Sequence, residues 1–160
     1  MTPQELKNSI LQLAIQGKLV PQRAEEGNAE DLYKQIQAEK QKLVKEGKIK
    51  KEKPLPPITD DEKPFEIPKS WKWVRLMEIV SNLGDGIHGT PQFDDNGSYF
   101  FVNGNNLSNG KIIIKADTKK ISVIEYEKYK KPLNYDTILI SINGTIGNYA
   151  FYNGEPIILG

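Results

Sequence analysis

Between Lys45 and Pro64 the chain reads KEGKIKKEKPLPPITDDEKP. The stretch begins basic, passes through Pro54, Pro56 and Pro57, and ends acidic. Proline lacks the amide proton and fixes φ, so neither a helix nor a central strand continues through such a run. The stretch therefore predicts extended linker chain and divides the sequence in two, 1–63 and 64–160. Its lysines fit either a solvated helix end with a spacer or a patch that tracks phosphates.

The part before the divide is helical. In TPQE, Thr2 suits an N-cap, Pro3 the first helical position and Glu5 a capping box. Leu6, Ile10, Leu13 and Ala14 then recur at helical spacing, Gly17 suits the residue after the helix, and Pro21 blocks continuation. A second helix is predicted from about Ala29 to Glu46, capped by Asn28 and ended by Gly47. Its apolar stripe, Leu32, Tyr33, Ile36, Leu43 and Val44, is thin. Such a stripe suits a coiled-coil arm and predicts a partner helix.

The part after the divide reads as strands and turns. Phe65, Ile67, Trp71 and Trp73 look like anchors that dock the linker onto a core, and Leu76–Val80 like one short helix. Strands are expected at Ser98–Asn103, Lys111–Lys115 and Thr137–Ile142, the last buried, with a hairpin partner in IGNYAFYN. Asn105–Lys111 is expected as a turn, and Ser122–Lys131 as a charged helix with a capping serine and Glu125 at its third position. PIILG begins a further strand and stands at the chain's last residue, which suggests a piece of a longer protein. The fold class expected is α+β.

Composition narrows the chemistry. The chain has 160 residues, 22 basic and 21 acidic side chains and a net charge of +1, so no global basic excess announces nucleic acid. No cysteine is present, which removes disulfides and thiolate metal sites. No apolar run approaches the roughly 20 residues of a membrane span, and MTPQELKNS is no signal peptide. A cytoplasmic protein without membrane contact is expected.

One loop invites an enzymatic reading. GDGIHG, with Gly84, Gly86 and Gly89, formally matches the dinucleotide-binding pattern GxGxxG and holds the sole histidine, His88. The context is wrong: no βαβ unit surrounds it, and Thr90-Pro91 opposes a helix start. His88 has no second His or Cys for a metal site and no nucleophile to serve as base. The carboxylates are scattered. No catalytic, metal or cofactor residue is therefore assigned, and nucleotide chemistry at GDGIHG stays as a minor alternative.

What remains is a set of loops rich in Asn, Thr, Gln and Lys. Asn and Gln bond adenine bidentately, and Lys bonds guanine or phosphate. The candidate DNA-contacting residues are His88, Thr90, Gln92, Asn103, Asn105, Asn106, Lys111, Lys115, Lys119, Lys120, Asn143, Thr145 and Asn148. Asn is also a common turn residue, so any one of these has a structural reading beside the functional one.

The order of segments carries a resemblance. LKNSILQLAIQGKLVPQ, the charged helix, KEGKIKKEKPLPPI and FEIPKSWKWVRLMEIV, in that order, resemble the specificity (S) subunit of type I restriction–modification systems. GIHGTPQFDDNGSYFFVNGNNLSNGKI and ISVIEYEKYKKPLNYDTILISINGTIGNYAFY are similar to parts of that family's target recognition domain. The resemblance implies a helical, coiled-coil-like spacer followed by an incomplete, β-rich recognition domain with short helices. It implies a non-catalytic subunit that reads one part of a split DNA target. It also implies a methyltransferase (M) subunit carrying S-adenosylmethionine, and a restriction (R) subunit using ATP and Mg. Leu6, Ile10, Leu13, Leu32, Ile36 and Leu43 would then bind a partner, the M subunit or a second S chain through paired helices. A complete S subunit has two recognition domains, and this chain shows one incomplete one. The alternative is accordingly a shortened S subunit that only occupies the M subunit and does not bind DNA by itself.

Overall fold

Thr2 starts the first helix as its chemistry demands. Its Oγ1 accepts from Glu5 N at 3.2 Å, and Glu5 Oε2 accepts from Thr2 N at 2.6 Å, a closed capping box. Helix α1 runs Pro3–Ile15. Gly17, at φ +66°, ends it: Lys18 N donates to Leu13 O and Gly17 N to Ala14 O, the paired bonds of a Schellman motif. Helix α2, Ala29–Lys45, is built the same way, with Asn28 as cap and Gly47 as the left-handed residue beyond it. The computed structural model describes all residues 1–160, in two units, Met1–Leu83 and Gly84–Gly160. No helix is long and apolar enough to cross a membrane.

In the first unit the half-buried stripe of α2 faces its own chain. Tyr33 Oη donates to Glu78 Oε1 at 2.9 Å and Gln37 Nε2 to Glu78 O at 2.7 Å, while Lys40 Nζ bonds Met77 O. Glu78 and Met77 belong to the short helix α3, Leu76–Ile79. Side chains of α2 thus take up carbonyls that a short helix leaves without partners. The thin stripe predicted a partner helix. Of that stripe, Tyr33 meets α3 within this chain, while Leu32 is exposed.

The proline-rich stretch is not a free spacer. Arg75 donates through Nε to Pro56 O at 3.0 Å and through Nη2 to Pro57 O at 3.3 Å, and it pairs with Glu62. Sequence composition could not show this strap, because its partner carbonyls are backbone atoms. The aromatic anchors pair within the first unit and are absent from the buried core, which holds residues of the second unit alone. Phe65 meets Trp73 edge to face at 5.2 Å, and Trp71 Nε1 donates to Gln22 Oε1 at 2.9 Å.

Every fully buried apolar side chain of the core lies in the second unit. Strand β1, Tyr99–Val102, is its centre. Strand β4, Lys120–Ile121, pairs antiparallel to β1, and β7, Ile157–Leu159, pairs parallel to it, Val102 facing Leu159. Between them in sequence lie β2, Leu107–Ser108, and β3, Lys111–Ile112. Helix α4, Val123–Tyr129, follows β4; β5, Ile138–Ile140, and β6, Tyr149–Phe151, form a second antiparallel pair. Val102, Leu107, Leu139, Ala150 and Ile157 pack together as the core. Burying each of the valine, leucine and isoleucine side chains stabilises by about 1.5–3 kcal/mol.

Two local expectations need correction. Asn105–Lys111 is not one turn: a one-turn 3₁₀ helix at Gly104–Asn106 is followed by the β2–β3 hairpin, whose tight turn is Asn109-Gly110. Both turn residues have positive φ, +49° and +79°, the backbone that Asn-Gly supplies to a two-residue hairpin. Thr137–Ile142 is not buried throughout: Leu139 is 7% exposed, but Ile138 is 53% and Ile140 60% exposed. Its apolar run covers both faces of a two-stranded ladder, and only one face meets the core. Ser122 caps α4 through Glu125 N, with Glu125 at the third helical position as expected, and the buried Glu125 carboxylate accepts from Gln92 N at 2.9 Å.

Candidate nucleic-acid interface

Strand directions place the predicted loops. Parallel β1 and β7 end side by side, with Gly160 N donating to Val102 O at 2.8 Å. Antiparallel β4 begins at the same end, with Phe101 N donating to Lys119 O at 2.9 Å. Ile87 N bonds Leu159 O at 2.7 Å, which brings the GDGIHG segment alongside β7 there. One end of the sheet thus collects the loops after β1, before β4 and beside β7.

The loop after β1 is stabilised by its asparagines. Asn103 Oδ1 accepts from Asn105 N at 3.0 Å, a turn in which the side chain mimics backbone. Asn106 is buried. Its Nδ2 donates to Ile113 O at 2.9 Å and to Thr118 Oγ1 at 3.0 Å, and its Oδ1 accepts from Asn103 N at 3.2 Å. Thr118 Oγ1 also accepts from Lys115 N at 2.8 Å. Asn106 therefore binds the β1 loop to the turn that carries Lys115 and Lys119.

The β5–β6 hairpin tip reaches the same loop. Ser141 N donates to Asn148 O at 2.8 Å, Gly147 N donates to Ser141 O at 2.9 Å, and Ser141 Oγ bonds Thr145 O. Asn148 Nδ2 donates to Gly104 O at 3.3 Å across the two loops. The side chains of Asn105, Asn143 and Thr145 make none of these hydrogen bonds, and the three residues are exposed.

The candidate residues therefore divide. His88, Asn103, Asn105, Lys115, Lys119, Asn143, Thr145 and Asn148 belong to loops brought to this end. Of these, Asn103 and Asn148 have side-chain groups tied within the loops, and Asn106 lies beneath them as a buried brace. Thr90 is exposed just beyond His88. Gln92 is held through its backbone at α4, Lys111 lies on β3, and Lys120 lies within β4 opposite Phe100. Gly104, Ser141 and Thr118 were missed by sequence reasoning. A glycine between two asparagines and a serine closing an apolar strand were the available signals.

The charges are uneven. Residues 84–160 hold seven lysines, no arginine and eight carboxylates. Lys128 and Lys130 pair with Glu125 and Glu127 at 3.5 and 2.6 Å. Lys111, Lys115, Lys119 and Lys120 stand outside the unit's ion pairs, as does Lys131. Lys119 lies 5.9 Å from the centre of the Phe93 ring. Cations without protein carboxylates are the ones a phosphate can claim at least desolvation cost.

GDGIHG does not open a helix: the next α-helix begins at Val123. A pyrophosphate would have no helix N-terminus to meet there, which removes the physical basis of the dinucleotide reading. His88 is exposed, its Nε2 3.7 Å from Asp85 Oδ2. Gly86 does matter structurally, since a Cβ there would lie 2.7 Å from Gly160 O.

The predicted partner-binding residues also divide. Leu6, Ile10 and Leu13 form an exposed stripe on α1, and Leu32 is exposed on α2. Ile36 and Leu43 are half-buried.

In sequence, the chain is a homologue of the specificity subunits of type I restriction enzymes. Over 89% of its length it is 43% identical to the type I restriction enzyme EcoAI specificity subunit of Escherichia coli. Over 51% of its length it is 57% identical to the EcoEI specificity subunit of the same organism. The matched segments make up 24% and 14% of those two subunits, so the chain spans a small part of their length. No family model matches, and no solved structure matches.

Proposed function

We propose that this chain is a DNA-recognition and scaffolding piece of a type I restriction–modification system. The observation that carries the reading is its homology to specificity subunits across most of its length. The loop end of the second unit supplies the chemistry. Exposed Asn105, Asn143 and Thr145 offer donors and acceptors to base edges, and Lys115 and Lys119 offer cations to phosphates. The exposed Leu6, Ile10 and Leu13 stripe of α1 docks on the methyltransferase subunit. S-adenosylmethionine belongs to that subunit, and ATP and Mg to the restriction subunit.

The test is co-purification of the chain with the methyltransferase subunit, followed by binding of the complex to a randomised duplex library. Enrichment of one partial DNA sequence is expected. A complex that forms but enriches nothing favours a second reading, a module that occupies the methyltransferase subunit alone. The eight carboxylates against seven lysines in residues 84–160 favour that reading, because they leave little net attraction for DNA. Failure to bind either partner removes both.

A further inference from the structure

Gly104 sits where two loops touch. A Cβ on it would lie 2.9 Å from both Cβ and Oγ of Ser141 and 3.3 Å from Thr145 Oγ1. The obstacle is steric, since Gly104 is not among the glycines with positive φ. Neither side of the contact can easily withdraw. Ser141 is buried, and its amide, hydroxyl and carbonyl all bond within the hairpin tip it closes. Behind Gly104, the buried Asn106 amide ties the β1 loop to Ile113 and Thr118. The Asn148 amide, bonded to Gly104 O, completes the joint.

We infer that Gly104 is a positioning residue that locks the Asn103–Asn106 turn and the Ser141–Asn148 hairpin tip into one reading head. Asn105 on one loop and Asn143 and Thr145 on the other then address adjoining base pairs as a unit. The inference rests on the DNA-recognition reading above. It adds that specificity at one base pair depends on residues in the other loop. Base-edge hydrogen bonds demand heavy-atom distances near 3 Å, so a shift of several tenths of an ångström between the loops changes which base is accepted.

The experiment compares the full chain with Gly104→Ala, in complex with the methyltransferase subunit for DNA selection and alone for amide NMR spectra. In Gly104→Ala, the amide signals of Ile142–Gly147 move, although the substitution is in the other loop. Base preference changes at two or more adjoining positions together, by about tenfold, the scale of one bidentate base contact. The salt dependence of binding stays the same, because no phosphate contact is altered. Unmoved hairpin-tip amides, or a preference change at a single base pair, overturn the lock. Should Gly104→Ala fail to fold, Ser141→Ala makes the reciprocal test. It leaves position 104 untouched and removes the hydroxyl tie to Thr145. Movement of the Gly104–Asn106 amides with a joint change in base preference is then expected, and changes confined to the hairpin tip overturn the lock. A wild-type complex without base preference overturns the recognition reading itself, and with it the reading head. The NMR comparison reports the loop contact separately, so the two failures are distinguishable.

Discussion

Arg75 and Glu62 face each other as a two-pronged pair, Nη1 to Oε1 and Nη2 to Oε2, both at 2.9 Å. The same guanidinium holds Pro56 O and Pro57 O, so one side chain ties the strap to the start of α3. The fork geometry is what arginine, and not lysine, provides. The Arg75 hydrogen bonds lower the Glu62 pKa from 4.5 to about 2, helped by the Thr59 amide. A depressed carboxylate pKa contributes stability above its unfolded value and loses it as pH falls through the folded value. The strap is therefore expected to hold fully above about pH 4.5 and to loosen progressively toward pH 2. Tryptophan fluorescence of Trp71 and Trp73 across that window measures it. Glu62→Gln should flatten the acid response, and an identical response in the variant would refute the assignment.

Asn106→Ala should destabilise the second unit by about 1–3 kcal/mol, because Ile113 O, Thr118 Oγ1 and Asn103 N each lose a partner. Asn105→Ala, at an exposed position, should stay within about 0.5 kcal/mol. Urea denaturation of the two variants gives the comparison. Equal effects would show that the buried amide does not brace the loops.

Gly17→Ala combines a positive φ with a close approach. Its Cβ would fall 2.4 Å from Pro68 Cγ and 3.2 Å from Trp71. A loss of about 1–3 kcal/mol is expected, more than the left-handed backbone alone costs. A thermal melt of the variant reads it, and a near-neutral result would mean that Pro68 and Trp71 do not pack against the helix end.

Ile10→Ser on α1 should leave the protein's own stability nearly unchanged, since Ile10 is exposed. Capture by the methyltransferase subunit should weaken at least several-fold, because a central apolar anchor is removed. Unchanged capture, measured by titration of the partner, would place that interface elsewhere.

The helix ends were legible because capping is local chemistry: Thr2, Asn28, Gly17 and Gly47 act within a few residues of themselves. Strand β1 and the β5–β6 hairpin were legible from apolar runs separated by turn residues. The Arg75 strap was not, since its carbonyl partners have no sequence signature. The loop candidates were legible by residue type and not by role. Asn103, Asn105 and Asn106 are one residue type within four positions, yet one turns the chain, one is free and one is buried. The long-range partners Ile113 and Thr118 are what set Asn106 apart from the other two.

If the loop end of residues 84–160 meets DNA, its lysines set the salt dependence of binding. Binding of duplex DNA by the methyltransferase complex is measured against salt for the wild type, for Lys115→Ala/Lys119→Ala and for Lys128→Ala/Lys130→Ala. Each lysine that neutralises a phosphate contributes about 0.9 to the slope of log K against log salt. The first pair should reduce the slope by about 2. The second pair, already engaged with Glu125 and Glu127, should leave it unchanged. Equal slopes for wild type and Lys115→Ala/Lys119→Ala would show that this end does not meet the phosphates.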